Sequence, residues 1–208
     1  MLKVSNVEVW GFEHALRGMR NPKNSWHKND SEYVQDGLVT KYRIGPNDLK
    51  LARTLIKAGP EHRKFVRQIF VSMDIEAPLY WWKEFDTYKI STTVNSCSTM
   101  HKIHDKELTL DDFSCEHLDE LSLASMQHTL DRLNGNREMF LKTKEKHYWW
   151  QMIQLLPTSY MQKRTVTMTY ETAYNMEHQR DHHKLDEWHV MVDAIRALPN
   201  YQELFGEE

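Results

Sequence analysis

Phe65-Val66-Arg67-Gln68-Ile69-Phe70-Val71-Ser72-Met73-Asp74-Ile75-Glu76-Ala77-Pro78-Leu79-Tyr80-Trp81-Trp82-Lys83-Glu84-Phe85 changes its period partway along. From Phe65 to Ile75, alternate residues (Phe65, Arg67, Ile69, Val71, Met73, Ile75) would share one face of an extended chain, and the β-branched content favours a strand over a helix. Ala77-Pro78 then puts a proline where a helix can start, so Leu79–Phe85 reads as an aromatic helical turn or two. A strand leading directly into a helix, ahead of a helical second half, sets the expected class as α+β.

On the N-terminal side, Val7 and Val9 alternate within Val4–Trp10, a weak strand signal, and Phe12–Arg20 reads as a short helix ending near Asn21-Pro22. The polar stretch Asn21–Asp36 is expected to be an extended surface loop. Pro46–Pro60 has an Asn/Asp cap, apolar Ala52, Leu55 and Ile56 at helical spacing, and a Gly59-Pro60 stop. On the C-terminal side, helices are expected over Leu118–Leu133, closed by Asn134-Gly135, and over Arg137–Leu156, closed by Pro157. Two more follow over Thr169–His183 and Asp186–Ala197, the last closed by Pro199. No repeat or low-complexity block interrupts the 208 residues, and at roughly 150 residues per domain a single domain over 1–208 is expected.

Lys plus Arg number 27 and Asp plus Glu 30, a formal charge of −3, so nothing drives the chain in bulk onto nucleic acid or anionic lipid. Apolar runs such as Ile69-Phe70-Val71 fall far short of the roughly 20 residues of a bilayer span, and Met1-Leu2-Lys3-Val4 opens no signal-peptide block. A soluble cytoplasmic protein without a membrane or nucleic-acid partner is expected. Cys97 and Cys115 are too few for a disulfide framework, which suits a reducing compartment. Neither Gly-x-Gly-x-x-Gly nor a P-loop occurs among only 7 glycines, which excludes those two nucleotide-binding motifs and leaves nucleotide binding by other means.

Tyr80-Trp81-Trp82 and Tyr148-Trp149-Trp150 each carry adjacent tryptophans that point about 100° apart on a helix, so one of each pair should face something other than the shared core. Packing in the interior or between subunits is the expected role, ahead of a stacking platform for a flat ring. His178 and His182 share a helix face at i,i+4, but no third ligand is fixed by spacing, nor does His101-x2-His104 with Cys115-x-His117 match a structural zinc pattern; no metal site is expected. Cys97, four residues before His101, is not expected to be a catalytic thiol. The hydroxyl-rich Ser91–Thr99 segment is open to two readings, a phosphate-binding loop or a solvated one.

Across Phe70–Lys102 and Leu155–Ile195 the sequence resembles the flavin-dependent thymidylate synthases, the ThyX family. The carrying residues are Ile75-Glu76-Ala77-Pro78, the aromatic stretch Leu79–Lys89, Ser98-Thr99-Met100 after eight more residues, the Leu155-Leu156-Pro157 turn, Asn175 with Arg180 five residues on, and Glu187-Trp188-His189-Val190. The order of landmarks agrees over about two-thirds of the chain, as in a remote or divergent member. The family's Arg-His-Arg is Thr87-Tyr88-Lys89 here; its phosphate-facing Arg, its Glu and a further Arg are Met100, Ser96 and Ile153. Three charged nucleotide contacts of ~1.5–3 kcal/mol each are thus absent, on the order of 5–9 kcal/mol in simple sum. Lys83, His101 and Lys102 are the nearby cations that would have to substitute.

The resemblance implies a ThyX-like α+β fold, a small antiparallel sheet with a helix bundle, assembled as a homotetramer. It implies FAD as cofactor, with Tyr88, Lys89, Ile90, Asn95 and Asn175 as cofactor-binding residues. It implies a pyrimidine nucleotide such as dUMP as substrate, held by Lys83, Ser96, Ser98 and Arg180, with Arg180 polarising the base as the catalytic residue. Whether an enzyme results is left open: a flavin-dependent, thymidylate-synthase-like transferase is one reading and a non-catalytic binding or interaction module of the same fold is the other. The unlinked chain would suit a phage or bacterial protein. Glu61-His62 and Arg67-Gln68 both compete for a Glu-His pair of the family, and neither is assigned a role.

Overall fold

A computed structural model describes residues 1–206. The strand read from the opening stretch exists as β4, Phe70–Pro78, with Val71, Met73, Ile75 and Ala77 buried on one face in the expected period of two. It begins five residues later than the sequence suggested. Phe65 and Val66 are adjacent and both buried, which an alternating strand does not allow, and Lys64–Gln68 is instead a 3-10 turn. Around β4 the chain forms β1 (Lys3–Trp10), β5 (Thr92–Ser96) and β6 (Met161–Thr169), hydrogen-bonded in the order β1-β4-β6-β5.

The chain divides into two compact units. One comprises Met1–Lys3, Ile75–Thr87 and Asn95–Thr165; the other comprises Val4–Asp74, Tyr88–Val94 and the chain from Val166 on. The first unit holds α3 (Leu79–Phe85), the short α4 (Thr99–Lys102), α5 (Glu120–Thr143) and α6 (Lys146–Leu155). Met126, Leu130 and Leu133 of α5, spaced i, i+4 and i+7, pack with Met152 of α6 and with Ile103, Leu108 and Phe113 in one apolar cluster. The expected helix end at Asn134-Gly135 is not there, because α5 runs through it. Asn134 spends its side chain on the Leu108 backbone, donating from Nδ2 to the carbonyl at 2.8 Å and accepting the amide at Oδ1 at 2.9 Å, so it does not compete for its own helix. The chain turns at Lys144 instead, in the left-handed region at φ 61°.

The second unit holds α1 (Phe12–Gly18), α2 (Pro46–Lys57), α7 (Tyr170–Arg180), α8 (Asp186–Arg196) and α9 (Tyr201–Phe205). Its polar stretch Asn21–Asp36 is not the extended loop expected: two 3-10 turns lead into β2 (Glu32–Asp36), which pairs antiparallel with β3 (Val39–Arg43). That stretch is fastened by Asp48 near the start of α2. Its fully buried carboxylate accepts from Arg20 Nε at 2.5 Å, Asn29 Nδ2 at 2.8 Å and the Ser31 hydroxyl at 2.6 Å. The β2–β3 hairpin, β5, β6, α4 and α9 are strands and helices the sequence reading did not include. Among the described residues no helix is long and apolar enough to cross a membrane.

Candidate functional site

In the second unit the candidate residues gather along α7. The Thr169 hydroxyl accepts the Thr172 amide at 3.3 Å and starts the helix. Thr172, Asn175 and Gln179, at i, i+3 and i+7, then share a face. The segment carrying Tyr88, Lys89 and Ile90 is bonded to that helix at both ends: Thr172 Oγ1 donates to the Ile90 carbonyl at 3.2 Å, and the Tyr88 hydroxyl donates to Gln179 Oε1 at 3.0 Å. Lys89 and the Ile90 side chain are exposed.

Arg180, which the resemblance implies would face the pyrimidine, contacts aromatic rings. Its Nε donates to the Tyr88 hydroxyl at 3.0 Å, and its guanidinium carbon lies 4.7 Å from the Trp188 ring centre and 5.6 Å from that of Tyr88. Trp188 is fully buried. The structure therefore brings Tyr88 and Arg180, expected in separate cofactor and substrate roles, into direct contact.

Asn175 belongs to a second group that the sequence reading missed. Arg63 donates from Nε and Nη2 to the Glu171 carboxylate at 2.9–3.1 Å, and from Nη2 to Asn175 Oδ1 at 3.4 Å, with its guanidinium 4.6 Å from the Tyr174 ring centre. Arg63 and Glu171 side chains are 12% and 11% exposed, so the pair is largely shielded from water. The fork geometry of guanidinium on carboxylate fixes both partners.

Further along α7, Glu177 accepts from Arg196 Nε at 2.7 Å and from the Tyr201 hydroxyl at 2.5 Å. The Glu177 bond is the main cause raising the Arg196 pKa, and burial, then Glu177, raises that of Tyr201. Of the histidines nearby, His178 lies against Tyr174 with ring centres 4.0 Å apart and planes tilted by 43°, His182 is 96% exposed, and His183 Nδ1 accepts the Leu185 amide at 3.1 Å. Among the described residues no three His, Cys, Asp or Glu side chains are grouped to hold a metal.

In the first unit Ser98 caps α4, its Oγ accepting the His101 amide at 3.2 Å. It borders a cavity of about 430 Å3 whose wall includes Cys97, Thr99, Lys102, Lys106 and Gln162. Gln162 braces the hydroxyl segment, donating from Nε2 to the Cys97 carbonyl at 2.8 Å and to Thr99 Oγ1 at 3.0 Å, and Arg164 fixes Gln162 by donating to its Oε1 at 2.9 Å. Of the three candidate substitute cations, Lys102 lines this cavity. His101 lines a separate one of about 270 Å3, with Met100, His104 and Lys146, and Lys83 stands exposed on α3. Asn95 and Ser96 are exposed on β5. Ile153, at a position where the resemblance expected arginine, packs against the apolar cluster of α5 and α6.

The tryptophan pairs behave differently from one another. Trp81 and Trp82 are both buried, in keeping with the expected packing role, and their rings meet edge to face with centres 4.9 Å apart. Trp82 is accommodated because its Nε1 donates to the Gln162 carbonyl at 3.0 Å while Arg164 lies 4.2 Å above its ring. In the second pair Trp150 is 46% exposed, and Trp149 Nε1 donates to the Met100 carbonyl at 2.9 Å.

No protein-family model matches the chain, and no curated protein matches it in sequence. Solved structures do match in fold. Thymidylate synthase X (ThyX) from Helicobacter pylori, crystallised with FAD and dUMP, superposes with a TM-score of 0.69 at 16% identity, over 99% of this chain and 97% of that one. A second crystal structure of the H. pylori flavin-dependent enzyme, also with FAD and dUMP, gives 0.67 at 17% identity over 97% and 98%. The UMP/dUMP methylase PolB from Streptomyces cacaoi, bound with 5-Br dUMP, gives 0.66 at 12% identity over 98% and 91%. The class is thus α+β, a sheet with helices, as the sequence indicated. Within that class, the fold is that of the flavin-dependent thymidylate synthases.

Proposed function

We propose that this chain is a remote ThyX-like protein that binds FAD and a pyrimidine nucleotide. The observation that carries this reading is the polar face of α7, with Thr172, Asn175 and Gln179 in line and the Tyr88–Ile90 segment bonded along it, on a chain whose whole length follows that fold. These residues suit a flavin: the Asn175 amide is partly exposed, Tyr88 offers an aromatic ring, and Lys89 a cation beside it. Tyr88, Lys89, Ile90, Asn95 and Asn175 would hold the cofactor, which when bound supplies the redox chemistry. Lys83, Ser96, Ser98 and Arg180 would bind the nucleotide, dUMP or a relative, and Arg180 would polarise its base. The setting would be the cytoplasm and the assembly a homotetramer, with Trp149–Trp150 as the tryptophan pair still available to lie between chains.

A second reading is favoured by Ile153 and Met100. An apolar packed residue and a methionine that is 54% exposed stand where two cations would meet a phosphate dianion, and neither can replace a charged bond there. A non-catalytic module, or an enzyme for a less anionic ligand, follows from that loss.

An absorption spectrum and an FAD titration of the purified protein test the first reading. Saturable FAD binding with a perturbed flavin spectrum is expected; no binding at any accessible concentration sinks it. Complementation of a thymidine auxotroph then separates the readings, with weak or absent rescue expected, whereas rescue at ordinary rates would show that Lys83, His101 or Lys102 has taken over the missing contacts. Light scattering at about four times 24.9 kDa is the expected assembly, and a monodisperse single chain would remove the tetramer.

A further inference from the structure

Arg63 and Glu171 take no part in the roles assigned so far, yet they form the most fully bonded ion pair in contact with a candidate cofactor residue. Glu171 and Asn175 are one helical turn apart, so their side chains leave α7 in the same direction, and a single guanidinium meets both. Three bonds to Glu171 fix the guanidinium plane, and the Tyr174 ring covers one of its faces at 4.6 Å. A guanidinium has donors only. Whatever meets it must accept, so the Asn175 amide has one compatible orientation, with Oδ1 turned to Arg63 and the NH2 group turned away. Among the described residues Arg63 is the sole hydrogen-bond partner of the Asn175 side chain, so both N–H groups remain for a ligand.

We propose that Arg63 is a positioning residue that locks Asn175 as a pure donor, so that this point of the site recognises an acceptor atom of its ligand, a carbonyl oxygen or an unprotonated ring nitrogen. The inference rests on the FAD reading above, since FAD is the ligand taken to lie there. Glu171 adds a second element of specificity: it neutralises Arg63 within the pair, so the pair draws in a neutral heteroaromatic edge rather than a phosphate. An amide without the arginine could rotate to offer either its oxygen or its nitrogen. With the arginine it offers only the nitrogen.

The test is a set of FAD titrations, each with a melting curve, on the wild type, Asn175→Asp, Arg63→Lys and the double variant. In Asn175→Asp the carboxylate still accepts from Arg63, so melting is expected to be unchanged or slightly raised. Both outward donors are gone, however, and the FAD Kd is expected to rise at least tenfold. Lysine can keep the bond to Glu171 but lacks the fork that reaches Asn175 at the same time. Arg63→Lys is therefore expected to raise Kd severalfold, and the double variant to bind no more weakly than Asn175→Asp alone, because Arg63 acts through Asn175. Wild-type affinity in Asn175→Asp overturns the proposal even if Arg63→Lys fails to fold, and so do fully additive effects in the double variant. If the wild type itself binds no FAD, the flavin reading falls and this inference with it; binding by the wild type with no loss in Asn175→Asp defeats the inference alone.

Discussion

Arg180 lies between Gln179 and Asp181 in sequence, a context in which a surface arginine ordinarily makes an exposed ion pair of little value. The fold also places it against Trp188 and Tyr88, whose rings and hydroxyl help to set its orientation. Replacing it with alanine removes a cation–π contact worth ~1 kcal/mol, which in a chain of this size lowers Tm by about 2–4 °C. The larger expected effect is on binding: Arg180→Ala should weaken FAD or dUMP affinity by tenfold or more, with Arg180→Lys in between, because an ammonium cannot reproduce the guanidinium's planar donors. Parallel melting curves and titrations decide the role. A fall in Tm with unchanged affinity for both ligands would make Arg180 a packing residue only. Arg180, Asn175 and Ser98 were nameable as candidates from the sequence because each sits at a fixed distance from a local landmark. Arg63 was not, because its partner Glu171 is 108 positions away and no periodicity or motif links the two.

At the scale of elements, the sequence described best those segments whose ends are marked by their own residues. Pro46–Lys57, Leu79–Phe85 and Asp186–Arg196 fall within a residue or two of expectation at their starts. It failed where a distant contact decided the outcome, as at Asn134, whose bonds to Leu108 let α5 continue through Gly135. Two glycine substitutions measure this contrast. A methyl group on Gly135 meets nothing within 4 Å, so Gly135→Ala should stabilise the helix by ~0.5–1 kcal/mol, seen as a rise in Tm of a few degrees. At Gly11, which precedes α1 with φ 95°, the same methyl would lie 2.1 Å from the Gln68 carbonyl oxygen. Gly11→Ala should therefore lower Tm, and by more than Gly135→Ala raises it. Identical signs in the two variants would contradict the continuous α5 or the left-handed turn before α1.

For the whole molecule, the small net charge of −3 at pH 7 leaves global repulsion a minor influence there, while above pH 10, where the lysines also lose their charge, individual buried groups add a pH dependence of their own. Three phenols are buried. Desolvation, with the Asp48 carboxylate as the next cause, pushes Tyr42 up to about 12, and burial raises Tyr170 and Tyr201 further. The Tyr170 hydroxyl donates to the Pro199 carbonyl at 2.7 Å, and that of Tyr201 to Glu177, so in both the protonated form is the one the fold binds. Above pH 10 the unfolded chain releases these protons while the folded chain keeps them. The folded state then holds more protons, and stability must fall as pH rises. The contribution is fully present below pH 10 and declines by ~1.4 kcal/mol per pH unit for each phenol held neutral. Against a total stability of ~5–15 kcal/mol, three such groups acting together should unfold the protein within one to a few pH units above 10. Urea midpoints measured from pH 9 to 12 should stay level at first and then drop, and Tyr42→Phe should shallow the drop by the share of one phenol. A midpoint that stays level to pH 11.5 would mean that these hydroxyls reach water in the folded state and that the packing drawn around α7, α8 and α9 is looser than described.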